Sequence, residues 1–455
     1  MTPTTRLQRV LGLPELVLFG LAYMVPLTVF TTYGVVTVQT GGHLPGAYVF
    51  TLAAMFFTAY SYGRMVQVHP VAGSAYSYTQ KSFGGSVGFV TGWSLLLDYV
   101  FLPMLNYLVI GIFTHALLSG VPEWLAVLVS IALVTTLNVL GIKLVARMNF
   151  VLVAFQAVFI VVFLGLCMRW FAGHDLPSVT APFFSGDAKL SLVLGGSAVL
   201  CLSFLGFDAI STLSEETRDA RTMIPRAIML VTFAGGVLFI VVSYAAALVF
   251  PDFTSFTDQD AAANDVMIRL GGHVFETFFT SAYVAGCVAS ALAAQASVAR
   301  ILYAMGRDGT LPRRLGRLHR RWGTPSNAVL LVGVVSLVAL FISLPTAAAM
   351  VSFGALAAFS MVNLSVVKHY LIDRGLRSAG DLVRYGVVPL VGFALTVWLW
   401  TNLSGTALTV GLCWLAAGLA YLVFLTRGFR RPAPTLDLRE DAHPDGTTET
   451  SGAVS

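Results

Sequence analysis

Phe19-Gly20-Leu-Ala-Tyr23-Met-Val-Pro26 and Leu200-Cys-Leu-Ser-Phe-Leu-Gly206-Phe-Asp208 are the two stretches on which the reading of this chain turns. Each sits inside an apolar run long enough to cross a bilayer, and each contains residues that an uninterrupted helix accommodates poorly. Pro26 lacks a backbone N–H, and its ring collides with the carbonyl one turn earlier. Gly206 gives up more backbone freedom in a helix than any other residue type would, and an aspartate follows two positions later. Both stretches therefore predict a helix that breaks partway through the membrane.

Outward from these breaks, apolar windows of about 20 residues, the length needed to span the hydrocarbon, recur at about residues 15 to 38, 46 to 67, 86 to 116, 122 to 142 and 148 to 170. A second group lies at about 191 to 215, 226 to 250, 273 to 303, 327 to 345 and 347 to 370, and two more windows follow at about 385 to 402 and 405 to 426. The broken segments come first in each group of five. This order predicts an all-α membrane protein of about twelve transmembrane helices, with a five-plus-five inverted repeat, discontinuous helices 1 and 6, and two further C-terminal helices.

Composition agrees, since 57% hydrophobic and 11% charged residues in a chain of 455 give more apolar surface than one soluble core can bury. Residues 1–430 read as a single transmembrane domain, and residues 431–455, polar and carrying Pro432 and Pro434, as a disordered tail. Short cytoplasmic loops carry excess Lys and Arg. A cytoplasmic N terminus places all of the 27 basic residues inside except Arg169, Lys189 and Arg269. Arg307, Arg313, Arg314, Arg317, Arg320 and Arg321, between helices 8 and 9, anchor that orientation, and the C terminus then also lies in the cytoplasm. The net charge of +5 is accordingly a topological signal, with no soluble basic domain to offer nucleic acid. Cys167, Cys201, Cys287 and Cys413 are scattered through the spans without metal-ligand spacing, so neither a disulfide framework, a metal nor another cofactor is expected. The first apolar run is too long for a signal-peptide core and stays as helix 1.

Asp98 and Asp208 stand out within these spans. An ionised carboxylate at the centre of a membrane helix costs roughly 2.5 to 3.5 kcal/mol on insertion scales, and such residues mark ion or substrate pathways. Two anions suit a substrate with two positive charges. Aromatic faces attract ammonium groups and pack on methylene chains, so Tyr23, Tyr99, Phe204 and Phe207 are expected to line a site beside the aspartates. Met24, Val25, Pro26 and Gly206 are expected to form the helix breaks that open it. Trp93, Tyr283 and Phe353 are more distant lining candidates on helices 3, 8 and 10.

The chain also resembles the amino acid-polyamine-organocation transporters over nearly its whole length. Pro70-Val-Ala-Gly-Ser-Ala-Tyr-Ser-Tyr78 resembles that family's Gly-Ser-x-Tyr element, Asn138-Val-Leu-Gly-Ile-Lys143 the start of helix 5, and Ser203-Phe-Leu-Gly-Phe-Asp208 its helix 6. Glu215-Glu-Thr217, Ile224-Pro-Arg-Ala227 and the stretch from Ala299 to Pro312 continue the match. Within the family the chain is most similar to the bacterial putrescine importers, through Gly20-Leu-Ala-Tyr23, Trp93, Leu97-Asp-Tyr99, Phe101-Leu-Pro-Met104 and Leu213-Ser-Glu-Glu-Thr217. The resemblance implies a leucine-transporter-like fold and secondary active import of a small polyamine across the inner membrane, coupled to protons.

One departure bears on the substrate. Amino-acid members of the family typically present Gly-Ser-Gly at the helix 1 break, where free backbone N–H groups hold the substrate carboxylate. Here the aligned residues are Met24-Val25-Pro26, and proline has no N–H to give. Related proton-coupled members can carry a lysine in helix 5, and Gln156 falls nearest that place. Glutamine does not titrate, which leaves Asp98 or Asp208 to carry a proton. The expected partners are thus a small cationic amine, protons and the lipid bilayer; the sequence sets no oligomeric state. An amino-acid transporter or exchanger of the same fold remains an alternative, as does an amine sensor that moves nothing. An enzyme is not expected, because the spans hold neither a His pair at metal spacing nor a serine with a nearby base.

Overall fold

Large apolar side chains project from the sides of the helices, with Val161, Val274 and Phe424 being 70, 83 and 78% exposed. Water penalises such surface and a lipid tail does not, so these residues trace the belt that meets the bilayer. The computed structural model describes residues 9–430 apart from 72–73, 119, 176–177, 186–188, 258, 260–261, 308–310, 404 and 429. The tail expected over 431–455 lies outside the described residues.

Eleven helices among the described residues are long and apolar enough to cross a membrane, and a shorter apolar helix stands where the ninth is expected. We number the spans in order: span 1 Leu13–Phe30, span 2 Leu44–Val68, span 3 Gly85–His115, span 4 Glu123–Leu140, span 5 Arg147–Gly173, span 6 Leu190–Glu216, span 7 Ala220–Val249 and span 8 Ala262–Arg307. Span 9 is the short Ser326–Leu340, span 10 Thr346–Asp373, span 11 Ala379–Thr401 and span 12 Gly405–Leu425. The described residues contain no β-strand, only one isolated bridge between Leu11 and Thr217. This is the expected all-α membrane architecture of twelve helices, the ninth being shorter than the rest.

Spans 1 and 6 are both discontinuous. The helix Leu13–Met24 stops at Val25, which adopts φ 50° and ψ 99°, and a tighter 3-10 turn resumes at Pro26–Phe30. In span 6 the helix Leu190–Leu200 tightens over Cys201–Phe204, runs extended at Leu205, turns at Gly206 with φ 124°, and continues as Asp208–Glu216. Span 8 begins earlier than expected, at Ala262 rather than 273, because a helical segment precedes a kink at Gly271 and Gly272; the expected start coincides with that kink.

Burial orders the bundle. Spans 3 and 8 are the most enclosed, and spans 11 and 12 the least, as two helices added outside a ten-helix repeat should be. Span 10 reaches the backbone of span 3 through Gly354, where a Cβ would lie 2.5 Å from Ser94 O and 2.7 Å from Asp98 N. At the other end of the broken spans, the segment entering span 1 is tied to the exit of span 6. Val10 N and Leu11 N both donate to Glu216 O, and Arg218 N donates to Leu11 O.

Candidate functional site

A helix that ends inside a bundle leaves its last carbonyls without intrahelical donors. At the span 1 break two of these find side chains. Ser290 Oγ, from span 8, donates to Tyr23 O at 2.7 Å and accepts from Asn106 Nδ2, from span 3, at 3.0 Å. Thr28 Oγ1 folds back onto Met24 O at 2.8 Å. The carbonyl end of Leu13–Met24 carries partial negative charge, while Pro26 subtracts a donor from the opposite, positive end of the following segment. The field at this break is therefore biased toward a cation.

The span 6 break is built against it. Gly206 holds φ 124°, and a Cβ there would lie 2.5 Å from Tyr23 Cδ1, so the absence of a side chain is what lets the two breaks touch. Two positions on, Asp208 is 1% exposed. Its Oδ1 accepts from Gly206 N at 3.3 Å, and its Oδ2 from the Tyr99 hydroxyl at 2.7 Å. Asp98 is also 1% exposed, and its Oδ1 has no hydrogen-bond partner. The two carboxyls lie within electrostatic reach of each other and of Tyr23, Tyr62 and Tyr99. Leaving a buried acceptor unmade costs about 1 to 3 kcal/mol, so Asp98 Oδ1 is an open position for a donor brought by a ligand. The Tyr23 and Tyr99 rings stand 6.3 Å apart, centre to centre, beside the acids.

The sequence profile of amino acid permeases matches residues 15–424 of this chain. The chain belongs to the amino acid permease family. Over 443 residues it is 44% identical to the low-affinity putrescine importer PlaP of Escherichia coli (strain K12), covering 95% of this chain and 98% of that protein. It is 28% identical to the methylthioribose transporter of Bacillus subtilis (strain 168), and 26% identical to the branched-chain amino acid permease BcaP of the same organism; each match covers 92% of this chain and 94% of the relative. These relatives are transporters, and this permease is a multi-pass membrane transporter rather than an enzyme.

The permease gathers Tyr23, Tyr99, Asp208 and Gly206 at the meeting of its two breaks, next to Met24, Val25 and Pro26, with Asp98 buried within electrostatic reach of Asp208 and Tyr23. Phe204 and Phe207 turn elsewhere within the same layer. Phe204 packs on Tyr48 and Phe239 of spans 2 and 7, and Phe207 on Tyr62 and Phe359 of spans 2 and 10. Of the more distant candidates, Tyr283 lines a small cavity adjoining the span 1 break, with Tyr23, Val25, Asn106 and Ser290, and meets Thr31 through its hydroxyl. Trp93 and Phe353 do not take the lining positions expected of them. Trp93 stacks on Trp414 of span 12, and Phe353 packs on Trp400 of span 11 and against Gly411. Gln156 is fully buried, with its Oε1 and the Val25 side chain both set against Gly286. Sequence reasoning missed Tyr62, Asn106 and Ser290. An asparagine and a serine inside apolar spans were the available signal, but their shared target, a carbonyl freed at a break, is visible only in three dimensions.

Proposed function

We propose that this permease imports a small aliphatic diamine of the putrescine class across the inner membrane by alternating access, with protons as the coupling ion. The observation that carries this reading is the joint burial of Asp98 and Asp208 where two broken helices meet. Two carboxylates sealed from water repel one another and each has lost its hydration. Two ammonium groups joined by a methylene chain offset both costs at once. In this reading Asp98 offers its open Oδ1 to one ammonium, and Asp208, oriented by Tyr99 and Gly206, takes the other. Tyr23 and Tyr99 supply aromatic walls for the chain between them, while Phe204 and Phe207 pack toward spans 2, 7 and 10.

The span 1 break supports a cation over an amino acid, because Pro26 removes a donor that a substrate carboxylate would use. The name of the E. coli relative, a putrescine importer, supports the same class. With Gln156 unable to titrate, the buried carboxyls are the groups able to carry a proton across once the amine has left. The basic segment between spans 8 and 9 supports cytoplasmic termini.

Uptake of labelled putrescine into vesicles containing the purified protein, with a proton gradient imposed and then collapsed, tests this reading. Accumulation should require the gradient and be abolished by Asp208→Asn. Accumulation retained in full by Asp208→Asn sinks the assignment of that residue. Uptake of a branched-chain amino acid, with none of putrescine, replaces the reading with amino-acid transport.

A further inference from the structure

At the basic end of the bundle, the end that holds Arg300 and the loop after span 8, two histidines meet. His69 caps span 2 and His369 lies near the end of span 10, their rings edge to face with centres 5.5 Å apart. His369 Nε2 is buried and has no hydrogen-bond partner. Arg374, just past span 10, lies over the Tyr370 ring, which in turn meets the His369 ring edge to face, and Lys81 from the last turn of the helix Ser74–Phe83 and Arg221 from the first turn of span 7 are within electrostatic reach of His69. All three act electrostatically on His69, and all in the same direction. Among the described residues the carboxylate acting on His369 is Asp373, which is already paired with Lys368.

The surroundings of the cluster are firm. Arg374 lies 5.5 Å over the Tyr370 ring, Tyr370 stacks on Tyr385 at 4.0 Å, and the Tyr370 hydroxyl donates to Arg64 O at 3.3 Å. Burial, with the positive charges around it, pushes the His69 ring down to about 4, so at neutral pH it is an uncharged ring among cations. The bias of basic residues toward one membrane face explains how many cations gather at this end. It does not explain why Arg374 acts on both rings, Lys81 and Arg221 on His69, and the buried Nε2 of the adjoining His369 is left without a partner, with Asp373 the acid that acts on that ring among the described residues. An anion would supply both the missing charge and the missing hydrogen bond.

We propose that His69, His369, Lys81, Arg221 and Arg374 form a site for a phosphate group, presented either by an anionic phospholipid headgroup at the membrane surface or by free inorganic phosphate. Neighbouring spans that offer basic side chains at headgroup depth suit the first source, and the exposed ends of Lys81, Arg221 and Arg374 suit either.

The purified full-length protein in detergent separates the sources. Native mass spectrometry with phosphatidylglycerol and phosphatidylcholine reads the lipid, and thermal denaturation in the presence of inorganic phosphate reads the free ion. Retention of phosphatidylglycerol over phosphatidylcholine, reduced at least tenfold in Lys81→Gln/Arg374→Gln, establishes a headgroup site. A midpoint that rises with inorganic phosphate in the wild type and not in the variant establishes a free-anion site. As both substitutions are at exposed positions, loss of folding is not the expected cause of either change. A histidine titration adds an independent reading, because a bound phosphate must raise His69 from about 4 toward the ordinary histidine range. Wild type and variant binding both anions equally, or neither anion binding the wild type, overturns the proposal.

Discussion

The Tyr99 hydroxyl donates a 2.7 Å hydrogen bond to Asp208 Oδ2, joining the middle of span 3 to the broken middle of span 6. Span 3 thereby contributes to the site twice, since residue 98 supplies one buried acid and residue 99 orients the other. A hydrogen bond to a charged acceptor is worth about 1.5 to 3 kcal/mol. Tyr99→Phe leaves Asp208 with backbone N–H groups of the break as its donors, Gly206 N among them at the longer distance of 3.3 Å. The variant should raise the KM for putrescine by about ten- to a hundredfold at unchanged expression, read from initial uptake rates. An unchanged KM would mean that the backbone of the break orients Asp208 unaided.

Gly206 faces Tyr23 so closely that any side chain must displace the ring or the backbone, since a Cβ on this residue would lie 2.5 Å from Tyr23 Cδ1. Its φ of 124° is also a conformation that L-residues occupy at a cost of about 1 to 3 kcal/mol. Gly206→Ala should lower the thermal midpoint in detergent and abolish uptake. Adding Tyr23→Ala relieves the steric conflict but not the backbone strain, so it should restore part of the midpoint. Complete restoration would show that φ at this position carries no penalty.

Both breaks are legible in the sequence because their causes are local. Pro26 takes away a donor, and Gly206 permits a backbone angle that other residues avoid. Span positions are legible for a physical reason of similar simplicity, since the hydrocarbon thickness fixes how long an apolar run must be. The helix Ser74–Phe83 is not legible in that way. It is polar, and most of its side chains are buried by contacts far along the chain, such as Ser211 Oγ donating to Ser74 Oγ at 3.0 Å. Nor could spacing alone pair Tyr99 with Asp208: residues 98 and 99 diverge by about 100° around a helix, and whether both reach one site depends on how span 6 unwinds. Proximity in sequence to Asp208 points to Phe204 and Phe207 as neighbours of the acids, and the local turn instead directs them toward spans 2, 7 and 10.

Trp93 shows the same limit, its partner lying in the last span. Its Nε1 donates to Trp414 O at 2.9 Å, Trp414 Nε1 donates back to Trp93 O at 2.8 Å, and the two rings stack with centres 4.9 Å apart. This reciprocal pair fastens span 12 to span 3. Trp93→Phe removes one of the two hydrogen bonds, worth about 0.5 to 1.5 kcal/mol, along with part of the ring contact. The thermal midpoint should fall while the KM for substrate stays at the wild-type value. A raised KM at an unchanged midpoint would place Trp93 in the substrate path after all.

Glu216 and Arg300 form an ion pair of 2.5 Å between the end of span 6 and span 8, with side chains only 4 and 8% exposed. The Glu216 carbonyl also accepts both backbone donors from Val10 and Leu11, so a single residue ties spans 1, 6 and 8 together at this end. Removing one member of a buried pair strands the other charge and costs about 3 to 5 kcal/mol, whereas replacing both by apolar residues is often nearly neutral. Arg300→Met and Glu216→Leu should each lower the thermal midpoint sharply, and Arg300→Met/Glu216→Leu should recover most of the loss. The double variant also lacks the electrostatic tie while keeping the Val10 and Leu11 hydrogen bonds, so a thiol reagent should reach a cysteine placed at Ser214 faster than in the wild-type background. Losses in midpoint that simply add in the double variant would show that each charge is satisfied by other groups, and that the pair does not hold this end of the bundle closed.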